Sequence, residues 1–185
     1  MTTYKDIRGT HIKTVTSDPP APVNGQMWYN STDQVMKGFT SSPVGSWATT
    51  GNVNTARTQM AMGGAGTTSS ALMSGGAPGS GFTGATESFN GSTWTEVNDL
   101  NQSRRGIAGC GSSNTNALVF GGQTPPAPSN SVTAENESWN GSSWTETGNI
   151  NTARNQFAGV GTNTAALGFG GRQPGRNETL TESRS

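Results

Sequence analysis

Arginine and glutamate side chains recur at matched positions along this chain and are the first candidates for chemistry. Arg57, Arg104 and Arg154 each lie ten residues after a tryptophan. These arginines would line a ligand site if they gathered around one face of a ring. They would be structural if they bonded to neighbouring backbone or glutamate, and we favour the structural role. The recurring carboxylates are expected to form contacts between repeats rather than a catalytic pair: Glu87, Glu96, Glu137, Glu146 and Glu182.

Other residues on which enzymes rely are scarce. His11 is the only histidine and Cys110 the only cysteine. Histidine-based metal sites, histidine-dependent triads and an internal disulfide therefore lack their parts. Tyrosine is limited to Tyr4 and Tyr29, outside the repeats. We expect no catalytic residue, no cofactor and no metal.

The composition excludes several classes of protein. The chain is 29% hydrophobic and 12% charged, with 27 glycines and a formal net charge of zero. Without a cluster of basic residues, nucleic-acid binding has no electrostatic basis. No signal peptide and no apolar run of membrane-spanning length is visible, so neither export nor membrane insertion is expected. Because so little apolar material makes a self-sufficient core doubtful, we expect association with other copies.

One unit of about 47 to 50 residues is written three times. Each copy has a tryptophan, an arginine ten residues later, and then a glycine pair after a short apolar run. A period of this length indicates a β-propeller or an array. The repeated positions are Trp47, Trp94 and Trp144; Arg57, Arg104 and Arg154; and Gly75, Gly76, Gly121, Gly122, Gly170 and Gly171.

Turn residues divide each repeat into strands. In the first full copy the predicted strands are 58–62, 70–74, 85–89 and 93–97, which is the content of one propeller blade. The pairs Asn90-Gly91 and Asn140-Gly141 predict tight hairpin turns, because those residues tolerate positive φ. The glycine-rich first strand is expected to be crowded near an axis, with Cys110 buried in it. Trp94 and Trp144 should pack between neighbouring blades.

The order of these residues resembles the kelch repeat of β-propellers. Kelch blades carry arginine, a glycine pair, an aromatic residue and a tryptophan in that order, as in Arg57, Gly75-Gly76, Phe89 and Trp94. The resemblance covers 45–185 and implies an all-β fold with about three blades. The third copy departs from the pattern, because Arg184 stands in the aromatic position and no fourth strand follows. The last blade is therefore incomplete.

The incomplete blade has a counterpart near the start of the repeats. Trp47 belongs to a segment that matches the fourth strand of a blade, and the first three strands of that blade do not precede it. Two chains could close a six-bladed ring by strand exchange, the N-terminal strand of one completing the last blade of the other. A trimer would indicate another packing, and a truncated chain or an open array is a third possibility. The sequence thus predicts a homo-oligomer, either a dimer or a trimer.

Residues 1–44 differ from the repeats and are predicted to form a separate N-terminal arm and β-hairpin. A proline-rich spacer at 18–23 precedes two strand-like segments, 25–30 and 34–39. The segment 22–32 resembles the entry segment of fibre and appendage proteins of tailed bacteriophages. That resemblance implies virion attachment through this part of the chain, and Trp28 and Tyr29 are the expected attachment residues.

Loops that differ between repeats are where recognition usually lies on a rigid scaffold. The loops 77–84 and 123–131 follow the first two glycine pairs and differ in length and content. We expect Phe82 to stack on a carbohydrate ligand and Arg172 and Arg176 to donate hydrogen bonds to it. Solvent-exposed loops without a ligand are the alternative.

Taken together, the chain resembles a virion structural protein of a marine tailed phage, a tail fibre, head fibre or other appendage. This resemblance implies a non-enzymatic protein located in the virion, with other phage structural proteins as partners of the N-terminal segment and host-surface glycans as a ligand class. Two alternatives stay open. A sialidase-like carbohydrate-processing enzyme is prompted by 88–94, a loose relative of the aspartate-box turn, and a kelch-type protein-interaction module by the repeats.

Overall fold

Strands provide the regular structure of this computed structural model, which describes residues 12–39, 47–61, 65–126 and 131–185. The fold is all-β, and no helix occurs in those ranges. The chain divides into two compact units, Met1–Ala48 and Thr49–Ser185. The predicted boundary lay between residues 44 and 45.

The N-terminal unit contains a three-stranded sheet of β1 (Thr14–Val15), β2 (Met27–Asn30) and β3 (Val35–Gly38). Strands β2 and β3 form the predicted antiparallel hairpin, with Asn30 opposite Val35 next to the turn. Strand β1 pairs with β2 in parallel. Residues 1–11 of the predicted arm lie outside the described residues.

The second unit is built from successive sheets of meander topology. The first repeat sheet has four antiparallel strands, β4 (Ala65–Thr67), β5 (Ser70–Ser74), β6 (Thr86–Phe89) and β7 (Trp94–Val97). The second repeat sheet repeats that order with β8 (Ala108–Ser113), β9 (Asn116–Phe120), β10 (Asn136–Trp139) and β11 (Trp144–Thr147).

The third repeat sheet has three strands among the described residues. They are β12 (Ala158–Gly161), β13 (Ala166–Phe169) and β16 (Thr181–Arg184). A small hairpin of β14 (Arg172–Gln173) and β15 (Arg176–Asn177) lies between β13 and β16 in the chain. Strand β16 pairs with β13 along one edge only, so its other edge is open within the described part of the chain.

The predicted strand at 58–62 is wrong. Thr58 forms only an isolated bridge with Ala77, and the first strand of the sheet is β4, beginning at Ala65. Gln59 has φ of 56°, a left-handed conformation that ends extended structure. Strand β5 lies at the predicted residues, and β6 and β7 each begin one residue later than predicted. Residues 62–64, which the prediction placed in or beside the first strand, lie outside the described ranges.

Apolar side chains are buried between successive repeat sheets. Strand β8 contacts both β4 and β12, so the first strands of the three repeat sheets lie side by side. A Cβ on Gly109 of β8 would lie 2.9 Å from the Cβ of Ala61, which leaves no space for a larger residue there. Two buried clusters fill the layers: Leu72, Leu100, Ile107, Val119 and Trp144 in one, and Cys110, Leu118, Phe120, Phe157 and Ala166 in the other.

Candidate functional site

The three recurring arginines each form an ion pair with a glutamate of the sheet that they precede. Arg104 donates from Nη2 to Oε1 of Glu137 at 2.6 Å and from Nη1 to the carbonyl of Glu135 at 2.8 Å. Both side chains of the Arg104–Glu137 pair are fully buried. The same pairing joins Arg57 to Glu87 and Arg154 to Glu182. These guanidinium groups hold the repeats together and are not presented to a ligand.

The glutamates also cap the segment that enters each sheet. Glu137 Oε2 accepts from the backbone nitrogen of Asn101 at 2.8 Å, and Glu87 Oε2 accepts from that of Asn54 at 2.7 Å. The segment that Glu137 caps is also bonded to the first repeat, because the backbone nitrogens of Leu100 and Arg104 donate to the carbonyls of Gly84 and Thr83. Glu87 binds the segment that leads into its own sheet. Glu96 and Glu146, which lie opposite them on the outer strands, are exposed.

A polar groove lies where the segments after each arginine meet the segments after each glycine pair. Its volume is about 220 Å³, smaller than a site that encloses a drug-sized molecule. Arg105 pairs across a bridge with Gln123, and Asn155 does so with Arg172. The groove is lined by Gln59, Arg105, Gln123, Asn155, Gln156, Arg172, Gln173, Pro174 and Gly175. Amide and guanidinium groups of this kind can hydrogen-bond a polyhydroxylated or anionic ligand.

The structure brings only part of the predicted ligand site together. Arg172 is exposed and lines the groove. Phe82 is half-buried, and the guanidinium of Arg105 lies 4.4 Å from the centre of its ring, so one face of the ring is covered. Arg176 is exposed, donates from Nε to Glu178 at 2.5 Å and does not line the groove.

Sequence reasoning missed Arg105, Gln59 and Gln156 as groove residues. A signal for them existed in the repeat alignment, because Gln59, Gly106 and Gln156 occupy one column. Gln59 and Gln156 share positive φ with Gly106, at 56°, 53° and 61°. The backbone nitrogen of Gly106 donates to the carbonyl of Gln59, and that of Gln156 donates to the carbonyl of Gly106, each at 2.7 Å. This column therefore links one repeat to the next.

A larger cavity, of about 590 Å³, lies between the second and third repeat sheets. Its wall includes apolar side chains of both sheets and the end of β16, among them Leu118, Ile150, Ala166 and Arg184. Asn136 also lines it. The Asn136 side chain donates to the carbonyl of Gly148 at 2.6 Å, whereas its buried Oδ1 accepts no hydrogen bond from the described residues.

In the N-terminal unit, Asp18 gathers the side chains of the hairpin. Its Oδ1 accepts from the Trp28 indole at 3.0 Å and from Asn30 at 2.9 Å, and Lys37 donates to Oδ2 at 2.9 Å. The hydrogen bond from Lys37, followed by those from Asn30 and Trp28, lowers the pKa of Asp18 to about 2. Trp28 is buried and Tyr29 half-buried, so the Trp28 side chain holds its own unit together.

The environment of Cys110 and the placement of the acidic residues bear on nucleophilic and metal chemistry. The thiol is buried, donates to the carbonyl of Thr162 at 3.4 Å, and has its pKa raised to about 11 by burial. Such a thiol is a poor nucleophile at neutral pH. Within the described ranges, no group of three or more His, Cys, Asp or Glu side chains is placed to hold a metal ion. Nor does that part of the chain contain a helix able to cross a membrane.

Comparisons with known proteins bear on the fold. No protein-family model matches the chain, and no curated protein matches it either. A solved structure described as "Structure of YjhT" is similar, with a TM-score of 0.59 and 14% sequence identity. The match covers 85% of this chain and 47% of the other, so the chain spans about half the length of that structure. At this identity the likeness concerns the fold alone.

Proposed function

We propose that residues 45–185 form kelch-like β-propeller blades and that the chain is a non-enzymatic structural protein of a tailed-phage virion. The order of arginine, glycine pair, aromatic residue and tryptophan supports the kelch-like part. So does the side-by-side packing of β4, β8 and β12, since propeller blades are four-stranded sheets arranged around an axis.

The proposal that the protein is not an enzyme is supported by the burial of the recurring arginine and glutamate side chains. Arg57, Arg104 and Arg154 are all buried against glutamates of their own repeats. A catalytic carboxylate or guanidinium has to reach a bound substrate, whereas Arg104 and Glu137 are bonded to each other, to backbone groups and to the Asn101 side chain. The repeats are therefore built as a scaffold, with polar residues at the surface.

The N-terminal unit is the proposed attachment module. Its hairpin exposes three apolar side chains, Met27, Val35 and Met36. Met27, Tyr29 and Met36 share one face of the hairpin, whereas Val35 lies on the face of Trp28. An exposed apolar face of this kind suits contact with another protein, so Met27, Tyr29 and Met36 replace the buried Trp28 as the proposed contacts to other virion proteins.

Immunogold electron microscopy of purified virions tests the proposed location. An antibody raised against residues 49–185 should label one fixed position on the particle, such as the tail tip, the neck or the head surface. Label found only in particle-free fractions of the lysate would remove the virion role. Labelling of intact particles without detergent also shows whether the repeat region is exposed.

Host-surface glycan recognition is the proposed role of the polar groove. Arg172 is exposed at its edge, and Arg176 lies in the same small hairpin but outside the groove, which makes a matched pair. A glycan that binds the full chain on an array should bind Arg172→Ala about ten-fold or more weakly, as expected for a lost charged hydrogen bond. Arg176→Ala should bind as the parent does. Equal losses in both variants, or release of cleaved sugar, would contradict the proposal.

A further inference from the structure

We propose that the cavity beside β16 is a socket for a second copy of this chain. Residues 47–50 of that copy dock along the open edge of β16 as the fourth strand, and its Trp47 fills the cavity. The inference concerns self-association and does not depend on the virion role proposed above. It rests on a comparison of the second repeat sheet, where this position is filled, with the third, where it is open.

In the second repeat sheet the position is filled by β11. Trp144 of β11 lies opposite Trp139 of β10. Its indole reaches across to the first repeat sheet and donates from Nε1 to Oγ1 of Thr86 at 3.2 Å. The Trp144 side chain is buried in the cluster that joins the two sheets. The fourth strand of one sheet thus anchors that sheet to the previous one.

The residues around the cavity are the repeat equivalents of those around Trp144. Strand β16 is the repeat equivalent of β10, and β13 is the repeat equivalent of β9. The β13–β16 pair has the same register as the β9–β10 pair. Asn136 takes the place of Thr86, and its buried Oδ1 accepts no hydrogen bond from the described residues. Around it Leu118, Ile150, Ala166 and Arg184 line the cavity in the places of Leu72, Leu100, Ala117 and Trp139.

The Oδ1 of Asn136 is unpaired within the described ranges, which favours an occupant of the cavity that can donate a hydrogen bond. Leaving a buried amide oxygen without a donor costs about 1–3 kcal/mol. An indole N–H placed as Trp144 is placed would satisfy Asn136 Oδ1, and its ring would bury the apolar wall. The cavity therefore matches a tryptophan carried on an added strand better than a charged or wholly apolar occupant.

Among the described residues, none covers the far face of the third repeat sheet. Val160, Leu167 and Phe169 are 55%, 37% and 42% exposed. Their equivalents in the second repeat sheet are Cys110, Leu118 and Phe120, which are 1%, 1% and 2% exposed because the third sheet covers them. A further repeat sheet would cover the exposed set in the same way. The glycine pair agrees, since a Cβ on Gly121 would meet the carbonyl of Arg154 at 2.7 Å, whereas one on Gly170 meets nothing nearer than 4.0 Å.

A second copy of the chain supplies both missing parts in the right order. Trp47 lies 47 residues before Trp94, in the repeat column of Trp94 and Trp144, and its side chain is fully exposed. The residues that follow it, Asn54 to Arg57, enter the first repeat sheet as Asn101 to Arg104 enter the second. A strand from residues 47–50 of a second copy would therefore bring that copy's first repeat sheet against Val160, Leu167 and Phe169.

Disulfide trapping tests the strand register. The pairing of Trp139 with Trp144 and of Ser138 with Thr145 predicts that Ala48 of one copy lies opposite Ser183 of the other. Opposite residues on paired strands have Cα separations that a disulfide can bridge. Mixing the Ala48→Cys chain with the Ser183→Cys chain under mild oxidation should give a disulfide-linked dimer on a non-reducing gel. The buried Cys110 is left in place, and each variant alone shows its background.

The matched control shifts the second cysteine by two residues. Thr181→Cys is on the same strand and the same face as position 183, but it lies roughly 7 Å further along. Ala48→Cys mixed with Thr181→Cys should give little linked dimer. Equal linking with both partners would overturn the register. No intermolecular linking, or a link formed only inside one chain that carries both Ala48→Cys and Ser183→Cys, would overturn the second copy as occupant.

A second measurement tests the tryptophan itself. Because Trp47 is exposed, Trp47→Ala should leave the fold of each chain intact, which circular dichroism checks. The dissociation constant for self-association, from sedimentation velocity across a dilution series, should rise about thirty-fold or more, as for an interface hot spot. Val23→Ala, which removes another exposed apolar side chain, is the control and should leave the constant unchanged. An unchanged constant for Trp47→Ala would overturn the proposal.

Discussion

At the scale of single residues, the repeat is held by charges that are buried rather than displayed. Arg104 and Glu137 hydrogen-bond each other and the backbone around them. The spacing of arginine and tryptophan in the sequence reveals the repeat, but it does not say which glutamate each arginine meets. Glu137 and Glu146 lie opposite each other on the same face of the sheet, but Glu137 is buried beside Arg104 on the third strand, whereas Glu146 is exposed on the outer strand.

Removing one member of a buried pair should cost far more than removing its exposed neighbour. Glu137→Gln leaves the Arg104 charge buried without a counter-ion, and we expect a loss of about 3 kcal/mol in the free energy of unfolding. Urea denaturation followed by circular dichroism measures it. Glu146→Gln, directly opposite on β11 and exposed, should change stability by less than about 0.5 kcal/mol. Similar losses in both variants would show that the pair does not hold the repeat.

At the scale of elements, the strands that sequence patterns predicted best are those bounded by specific turns. Asn90-Gly91 and Asn140-Gly141 carry the hairpins that join the third and fourth strands, and Gly91 and Gly141 have positive φ. The start of the first strand was predicted too early because Gln59 adopts a left-handed conformation, which a glutamine in the sequence does not indicate. The groove was only partly foreseen, because Arg105 and Arg172 reach it through bridges to Gln123 and Asn155, which no local sequence pattern contains.

A turn of this kind should tolerate no Cβ. Gly141 has φ of +95°, and Asn140 Oδ1 accepts from the backbone nitrogens of Ser142 and Ser143, each at 2.9 Å. Gly141→Ala should lower the free energy of unfolding by about 1–3 kcal/mol through backbone strain. Gly81→Ala is the control, because Gly81 has no positive φ and an added Cβ would meet nothing closer than 3.5 Å. Denaturant unfolding of the two variants side by side decides it, and equal stability would contradict the account of the turn.

The hairpin of the N-terminal unit should depend on pH in the acid range. The pKa of Asp18 is lowered from 3.8 to about 2 by Lys37, Asn30 and Trp28. Stabilisation by this carboxylate is therefore present above pH 3.8 and is lost as the pH falls through about 2. The Trp28 indole N–H signal in NMR spectra should shift with a midpoint near pH 2. A midpoint near the ordinary value of an aspartate would contradict these contacts, and Asp18→Asn should remove the shift.

At the scale of the whole molecule, the second unit consists of three successive repeat sheets. The first strands pack in the same way between the first and second repeat sheets and between the second and third, except that a cavity lies beside β16. Within the described part of the chain, the third sheet has an unpaired edge and an exposed face. A chain with 29% hydrophobic residues has few side chains to leave exposed, yet Val160, Leu167 and Phe169 are exposed together on that face. The count of repeats was visible in the sequence, whereas the match between the cavity at β16 and Trp47 required the positions of Asn136 and β16.

The solution mass of the purified chain, by light scattering over a range of concentrations, tests the closed arrangement most directly. Two chains that exchange strands would close a ring of six repeat sheets, so the account predicts a mass near twice 19.0 kDa. A mass of 19.0 kDa at every concentration would contradict association through the open edge of the third repeat sheet. A mass three times the chain would contradict the two-chain ring.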